Sequence, residues 1–492
     1  MKALSTFFLA VCCTVSFGQS FLDPSFGIGG MASSIWDGDT LFTVTKIAIQ
    51  SDGKILVSTS WNGYPAIMRY FSDGTVDTGF ANHGVYSGPS HCWYNALVLQ
   101  PDGKLVVGGG IYPDTDPLHE QFITLRFNTN GTLDSSFGTN GLVLTTFGSS
   151  GHHEARAASL QADGKIVLAG MAFSEDIGVA RLKPDGSLDS TFGTNGVQSW
   201  ALGLGANGVS ILPDGRIALG ATAYLNAFMA MRLLPDGTLD TSFNHTGHAT
   251  TVAGDSYNYS HAMLLQPDGK IVLGGSGQFG ASADMVVVRY DTTGALDHSF
   301  GDTGVIHIDI NGHDDDISAM AFTADNKIQL AGITEVAGFD FALVRINGNG
   351  SVDSSFGDSG RIITNINGSD IARSVAIQPD GKIVVGGGSA GGYISVLARY
   401  LPVPLKTGGF ATSSSTQLYP NPTSGILHIQ SPMLHHILHI TASDMAGRPF
   451  EVARLNEQDI SLDGLPAGTY LLTLHFDDNT SVTQKIITRT MR

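Results

Sequence analysis

Short apolar runs separated by Gly-, Asp- and Asn-rich turns fill most of this chain, and one stretch shows how they are organised. Ala96-Leu97-Val98-Leu99 is a short apolar strand, and Pro101-Asp102-Gly103 turns it. Leu105-Val106-Val107 returns with the β-branched residues that suit a pleated surface. After an irregular loop, Phe122-Ile123-Thr124-Leu125-Arg126-Phe127 alternates apolar and polar, as a half-buried strand does. Asn128 to Gly131 is a second turn. Leu133-Asp134-Ser135-Ser136-Phe137-Gly138 then leads into a last strand, Leu142 to Thr146. Four strands joined in sequence (a to d, in chain order) make one propeller blade.

The same phrases recur seven times. The Asp-Gly-Lys turn between strands a and b begins at Asp52, Asp102, Asp163, Asp214 (Arg216 for Lys), Asp268, Asp325 (Asn326 for Gly) and Asp380. From Asp52 to Asp380 the spacing averages about 55 residues, close to the range of propeller repeats. An arginine follows each turn: Arg69, Arg126, Arg181, Arg232, Arg289, Arg345 and Arg399. A Leu/Val-Asp-x-x-Phe phrase carries Asp23, Asp77, Asp134, Asp189, Asp240, Asp297 and Asp353. The aspartate phrase comes first, ahead of any strand a, and the last repeat ends at Tyr400 without a strand d. The offset predicts an all-β fold: a seven-bladed β-propeller over residues 19–401, closed by the N-terminal strand near Gly30 to Ile35. Closure hides sheet edges that an open array exposes. Seven equivalent arginines read as scaffold.

These three phrases, in fixed order over residues 22 to about 401, resemble the delta-60 repeats of bacterial secreted proteins. That resemblance implies a propeller and no particular activity.

Residues 402–417, with Pro402, Pro404, Gly408, Gly409 and a Ser/Thr cluster, read as a linker. Residues 418–492 then alternate short strands in the manner of a small β-sandwich. Tyr419-Pro420-Asn421-Pro422 opens this segment. Asp444-Met445-Ala446-Gly447-Arg448 turns in its middle, Leu465-Pro466-Ala467-Gly468-Thr469-Tyr470 follows, and Lys485-Ile486-Ile487 lies near the end. The four phrases resemble the type A sorting domain of the type IX secretion system. The resemblance implies a secretion-machinery partner, export across the outer membrane, and a secreted or cell-surface protein. The sorting-motif positions it marks are Pro420, Asn421, Pro422, Gly447, Gly468 and Tyr470.

The N-terminus agrees with that address. Lys2 precedes an apolar run from Phe7 to Phe17, too short to span a bilayer, and Ser16-Phe17-Gly18 suits a signal peptidase. Residues 1–18 are therefore expected to be a signal peptide cleaved near Gln19. Cleavage removes Cys12 and Cys13, which leaves Cys92 alone and excludes an intrachain disulfide. No later run approaches a transmembrane helix in length. The net charge of −18 argues against a nucleic-acid partner, which needs clustered Lys and Arg.

In such a blade the a–b and c–d turns share one face, and the b–c and d–a loops share the other. The repeated phrases occupy the first face; the second differs in every blade, and irregular loops are where a propeller places a site. The binding candidates there are His91, Trp93, Tyr94, Tyr112, His119, His152, His153, Tyr257, Tyr259 and His261, with Glu120 and Glu154 among them. His313-Asp314-Asp315-Asp316 offers carboxylates to a calcium ion, yet in no standard loop spacing, so it reads as a solvated acidic turn. No metal or cofactor is expected, and Cys92 reads as a structural thiol. The chain has no Gly-x-Ser-x-Gly elbow, phosphate loop or His-Glu-x-x-His helix. The sequence thus predicts a non-enzymatic propeller that binds an extracellular glycan or protein. The alternatives are a polysaccharide-acting enzyme with paired carboxylates, and an adhesive spacer.

Overall fold

A computed structural model describes residues 21–33, 35–36, 39–40, 43–61, 64–113, 119–148, 151–173, 175–301, 303–336, 338–392, 394–402, 417–421, 423, 425–430, 437–444, 448–450, 452–462, 465–477 and 481–488. The chain divides into two units, one ending at Val403 and one starting at Pro404. The expected signal peptide and most of the linker lie outside the described residues, as do Pro422 and Gly447.

The first unit holds seven four-stranded antiparallel sheets in sequential order. The second blade is typical, with strands Cys92–Leu99, Leu105–Ile111, Gln121–Phe127 and Leu142–Thr145. In the seventh blade, Ile371–Ile377, Ile383–Ser389 and Ile394–Tyr400 pair in order, and the fourth place is taken by Met31–Ser33. Met31 opposes Ala398 and Ser33 opposes Val396.

Strands b and c are apolar almost throughout because both of their faces are covered. Leu105–Ile111 is buried at every position. Each hydrophobic cluster of this unit draws on two consecutive blades. Leu56 and Ile67 of the first pack with Val107 and Ile123 of the second, and the series runs on to Ala331 and Leu343 of the sixth with Val385 and Ala398 of the seventh. Val384 and Leu397 of the seventh then pack with Val57 and Met68 of the first, which closes the ring.

The repeated phrases converge on one latch per blade. In six blades the arginine Nε lies 2.6 to 2.9 Å from the aspartate of the same blade's Leu/Val-Asp phrase. In the seventh, Arg399 reaches Asp23 through a terminal nitrogen at 2.9 Å. A terminal N–H of each arginine donates to a carbonyl in the c–d turn of the next blade. Thr129, Pro184, Pro235, Thr292, Gly348 and Pro402 accept at 2.5 to 2.7 Å, and Ser72 accepts from Arg399. The guanidinium also lies 4.3 to 4.8 Å from the ring centroid of the phrase's phenylalanine, from Phe80 round to Phe26. The cation of the a–b turn, Lys54 in the first blade and Lys382 in the last, approaches the same carboxylate at 2.9 to 3.4 Å. The turn's own aspartate pairs with that cation and not with the arginine; the arginine spans two c–d turns of neighbouring blades.

The second unit has two four-stranded sheets. One is built on Gln417–Tyr419, Ile426–Gln430, Ala453–Arg454 and Asp459–Ser461, and the other on Ile437–Asp444, Pro449–Phe450, Gly468–Phe476 and Ser481–Thr488. Leu427 and Ile460 of one pack with Leu472 and Ile486 of the other in a single core. The Asn421 amide donates to the Lys485 carbonyl at 2.7 Å, and the Tyr470 hydroxyl to the Pro466 carbonyl at 2.9 Å. Two of the motif's phrases therefore fix turns to strands.

Burial alone would raise the Asp240 carboxyl, but the Ser242 hydrogen bond and the Arg232 and Arg216 guanidiniums hold it down at about 2. Asp189 is held at about 2 in the same way by Thr191, Arg181 and Lys165. A depressed folded-state pKa stabilises the fold above the ordinary carboxylate range and loses that contribution as pH falls toward 2. The melting temperature should therefore drop steeply below about pH 4. Arg289→Ala should cost about 3 kcal/mol by urea denaturation, because it leaves Asp297 buried beside an unpaired carbonyl. Arg289→Lys should recover little, since one ammonium cannot hold the carboxylate, the carbonyl and the ring face together. Unchanged midpoints for both variants would remove the latch from the account of stability.

Candidate functional site

The inner strand of blades two to seven carries a β-bulge, which sets the register of everything near the ring's axis. The bulges fall at Asn95, Arg156, Asn207, His261, Ser318 and Arg373. A bulge adds a residue opposite one partner and bends the strand. It also needs space on strand b. A Cβ at Gly109 would collide with the Trp93 carbonyl oxygen, and Gly170, Gly275, Gly332 and Gly387 face the equivalent carbonyls in four other blades. Glycine on strand b makes this room in five of the six bulged blades, and Ala221 stands there in the fourth; the bulge sets Trp93 beside Asn95, Glu154 beside Arg156, and Tyr259 beside His261.

The bulge residues reach from blade to blade. The Thr45 hydroxyl, before the first strand a, donates to the Tyr94 carbonyl at 2.7 Å. The Asn95 amide donates to Glu154 Oε1, Arg156 to the Leu204 carbonyl at 3.0 Å, and Asn207 to the Ser260 carbonyl at 2.6 Å. His261 Nε2 lies 3.3 Å from Asp316 Oδ2.

Two aromatic groups stand out on the variable face. Between the second and third blades, Trp93 Nε1 donates to Glu154 Oε1 at 2.9 Å, and its ring lies 5.8 Å from Tyr112. His152 Nδ1 lies 2.8 Å from Glu120 Oε2 and 2.8 Å from the Tyr112 hydroxyl, so a ring N–H there donates to the carboxylate beside the phenol. Glu120 is 3% exposed, and its Oε1 is buried without a hydrogen-bond partner. Burial pushes the Glu120 carboxyl above its ordinary range, His152 offsets part of this, and Glu154 adds to it. Gly110 makes room: a Cβ there would lie 2.5 Å from Glu120 Oε1 and 2.6 Å from the Trp93 ring. On the fifth blade, Tyr257, Tyr259 and His261 stack in a row along strand a, with centroids 6.4 and 6.3 Å apart. Tyr257 is 56% exposed at the outer end of that row.

Tyr94 and His153 are corrected. Tyr94 points into the core with Cys92, Ile111 and Leu56 and is 2% exposed. His153 is fully buried between Phe147 and Phe173, and its Nδ1 accepts from the Phe173 amide at 3.3 Å. Both are one residue out of phase with exposed neighbours, so neither can meet a ligand. His91 is exposed with a φ of 58°, and His119 is half-buried next to Glu120. Cys92 is buried, and burial pushes its thiol up to about 12, the mark of an inert structural cysteine. Asn95 and Arg156 escaped sequence reasoning; the glycines opposite them are the signal that marks their bulges. Among the described residues, Asp284, Asp309 and Asp315 are carboxylates close enough to share a cation. Two shallow depressions of about 460 and 590 Å³ lie at the repeated turns, by Ala81 and Leu133 and by Gln100 and Gln161, away from both aromatic groups.

A carboxyl raised by burial makes the fold favour its neutral form, so it weakens the fold as pH rises above the ordinary carboxylate range. Glu120→Gln should therefore melt higher than the parent at pH 8, with the gap closing as pH falls toward 4. A lower melting temperature at pH 8 would show that the ionised His152–Glu120 pair stabilises the loop.

Seven stretches of the chain match a family described as a domain of unknown function (DUF5122) beta-propeller: residues 50–80, 100–137, 161–192, 212–243, 266–300, 323–356 and 378–403. Residues 417–489 match the secretion system C-terminal sorting domain. No curated protein matches in sequence. Among solved structures, virginiamycin B lyase from Staphylococcus aureus with quinupristin is similar at 11% identity and a TM-score of 0.47, over 75% of this chain and 99% of that one. Drosophila Semaphorin 2a is similar at 10% identity and 0.48, over 94% and 98%. A protein of unknown function from Dyadobacter fermentans gives 12% and 0.39, over 76% and 100%.

Proposed function

We propose that this chain, a β-propeller of seven DUF5122 repeats that ends in a secretion-system sorting domain, is a non-enzymatic binding protein that takes a carbohydrate on its variable face. The sorting tail makes it a secreted or cell-surface protein and implies a type IX machinery partner. The observation that carries the binding reading is the Trp93–Tyr112–His152 group around Glu120. It presents ring faces held in place by two carboxylates, Glu154 on Trp93 and Glu120 on His152. Sugars are met by aromatic faces against their C–H surfaces. The stacked Tyr257–Tyr259–His261 row offers a second platform.

The two carboxylates, Glu120 and Glu154, favour a second reading, a glycoside-cleaving enzyme with Glu120 as its acid. Against it, Glu154 is engaged by Trp93, Asn95 and Arg156, which leaves a poor nucleophile or base.

A glycan array probed with the full chain should give hits that Trp93→Ala weakens at least tenfold, about 1.4 kcal/mol, with no change in melting. Release of reducing sugar from a bound glycan, abolished by Glu120→Gln, would turn the reading to the enzyme. The tail has its own test. Loss of residues 418–492 should leave a folded propeller inside the outer membrane, and normal amounts at the surface or in the medium would refute its sorting role.

A further inference from the structure

At the loop end of the fifth and sixth blades three carboxylates meet, two on strands and one just after a strand. Asp284 lies in Ser282–Tyr290, Asp309 follows Val305–Ile308, and Asp315 opens Asp315–Phe322. One oxygen from each lies within 4.8 Å of the others. Asp284 is 2% exposed and Asp315 1%. Two carboxylates so deeply buried together are costly unless a positive charge or a proton joins them.

Asp309 and Asp315 are each anchored at one oxygen, and Asp284 at both. Asp315 Oδ2 accepts the Ile310 amide at 2.6 Å, Asp309 Oδ1 the Gly312 amide at 2.6 Å, and Asp284 Oδ1 the Ser282 hydroxyl at 3.2 Å. His307 pairs with Asp284 Oδ2 at the rim, its side chain 43% exposed. Inside, Asp315 Oδ1 is buried without a well-formed hydrogen bond, and the side chain that approaches Asp315 is Thr334 on the facing strand. The run Asp314 to Asp316, read from sequence as a solvated acidic turn, is divided in the structure. Asp314 caps the Ala283 amide, Asp316 faces His261, and only Asp315 turns into the cluster.

The next blade supplies an internal control. Asp340, Asn365 and Asp370 hold the same three places in the repeat, and Asp370 Oδ2 accepts the Ile366 amide at 2.6 Å, as Asp315 does from Ile310. There the middle residue is an amide, and Asn365 donates to Asp340 Oδ1 at 2.6 Å. Asp370 Oδ1 also has a donor, the Asn367 amide at 3.3 Å. The sixth blade is thus satisfied by protein alone. The fifth has a carboxylate where that amide stands, and a buried oxygen that no backbone amide meets.

We infer that Asp284, Asp309 and Asp315 bind one calcium ion, which takes the place of the Asn365 amide of the following blade. Oxygens no more than 4.8 Å apart fit around an ion whose Ca–O distances are about 2.3–2.6 Å. The ligands are all oxygen, which suits a hard cation and not zinc or copper. The site is separate from the Trp93–Glu120 group, so it stands or falls independently of carbohydrate binding. It would tie the loop ends of two blades without touching a latch.

The full chain, stripped with chelator, should take up one equivalent of calcium by calorimetry. In about 5 mM CaCl₂, above the Kd range of extracellular calcium modules, it should melt several degrees higher than in chelator. Asp309→Asn copies the sixth blade and keeps the loop's shape. This variant should bind no calcium, and in chelator it should melt at or above the parent. Absence of saturable uptake by the parent would overturn the inference and leave a shared proton to join the carboxylates. Undiminished uptake by Asp309→Asn would overturn it as well, by placing the ion elsewhere.

Discussion

The repeat arginine does the work of holding one blade to the next. Its planar guanidinium meets an aspartate of its own blade, a backbone carbonyl of the neighbour, and an aromatic face, three contacts that a point charge cannot make at once. Buried ion pairs seldom stabilise a fold by Coulomb attraction alone, because desolvation opposes it. Here the carboxylate is met by a second cation in every blade, and in six blades it also accepts from a Ser or Thr, as Asp240 does from Ser242. The pair therefore sits in a network that answers most of its polar atoms, with Asp23 Oδ2, Asp297 Oδ2 and the Nε of Arg289 and Arg399 left over in the fifth and seventh latches. Nearby turns, strand ends and loops depend on that register.

The ring and its latch were legible because they repeat. An arginine at one place in seven blades cannot be a local accident, and the turn phrases fixed which face it occupies. The bulges were harder to see. Alternation along Cys92–Leu99 does not say whether Trp93 or Tyr94 faces the axis, and a bulge reverses the answer within a single residue. His152 and His153 divide in the same way, one at the surface and one between two phenylalanines. The glycines of strand b carry the missing signal in five blades, where a Cβ would collide with the carbonyl before the bulge; the fourth blade bulges with Ala221 at that place. The carboxylate cluster was least legible, because its members come from three separate segments and meet only when the fifth and sixth blades pack.

On the proposed binding reading, function separates from scaffold along the same line. One face is made of turns whose chemistry is nearly identical seven times over. The other keeps the strand frame but changes its loop residues, so that aromatic rings gather at the second and third blades and again at the fifth. The latch gives the variable loops a rigid base, and the bulges turn selected side chains toward the axis. A protein built in this way can alter what it meets without altering how it folds.

The seventh latch is made by residues at opposite ends of the ring: Asp23 and Phe26 belong to the N-terminal segment, Arg399 to the last strand. Six seams join sequence neighbours, but this one must wait until the whole propeller has been synthesised. A linear array of repeats frays from its free ends, and this ring has none to offer. Opening the ring at this seam requires the release of one short segment, residues 23 to 33, which carries both the closing strand and half of the seventh latch.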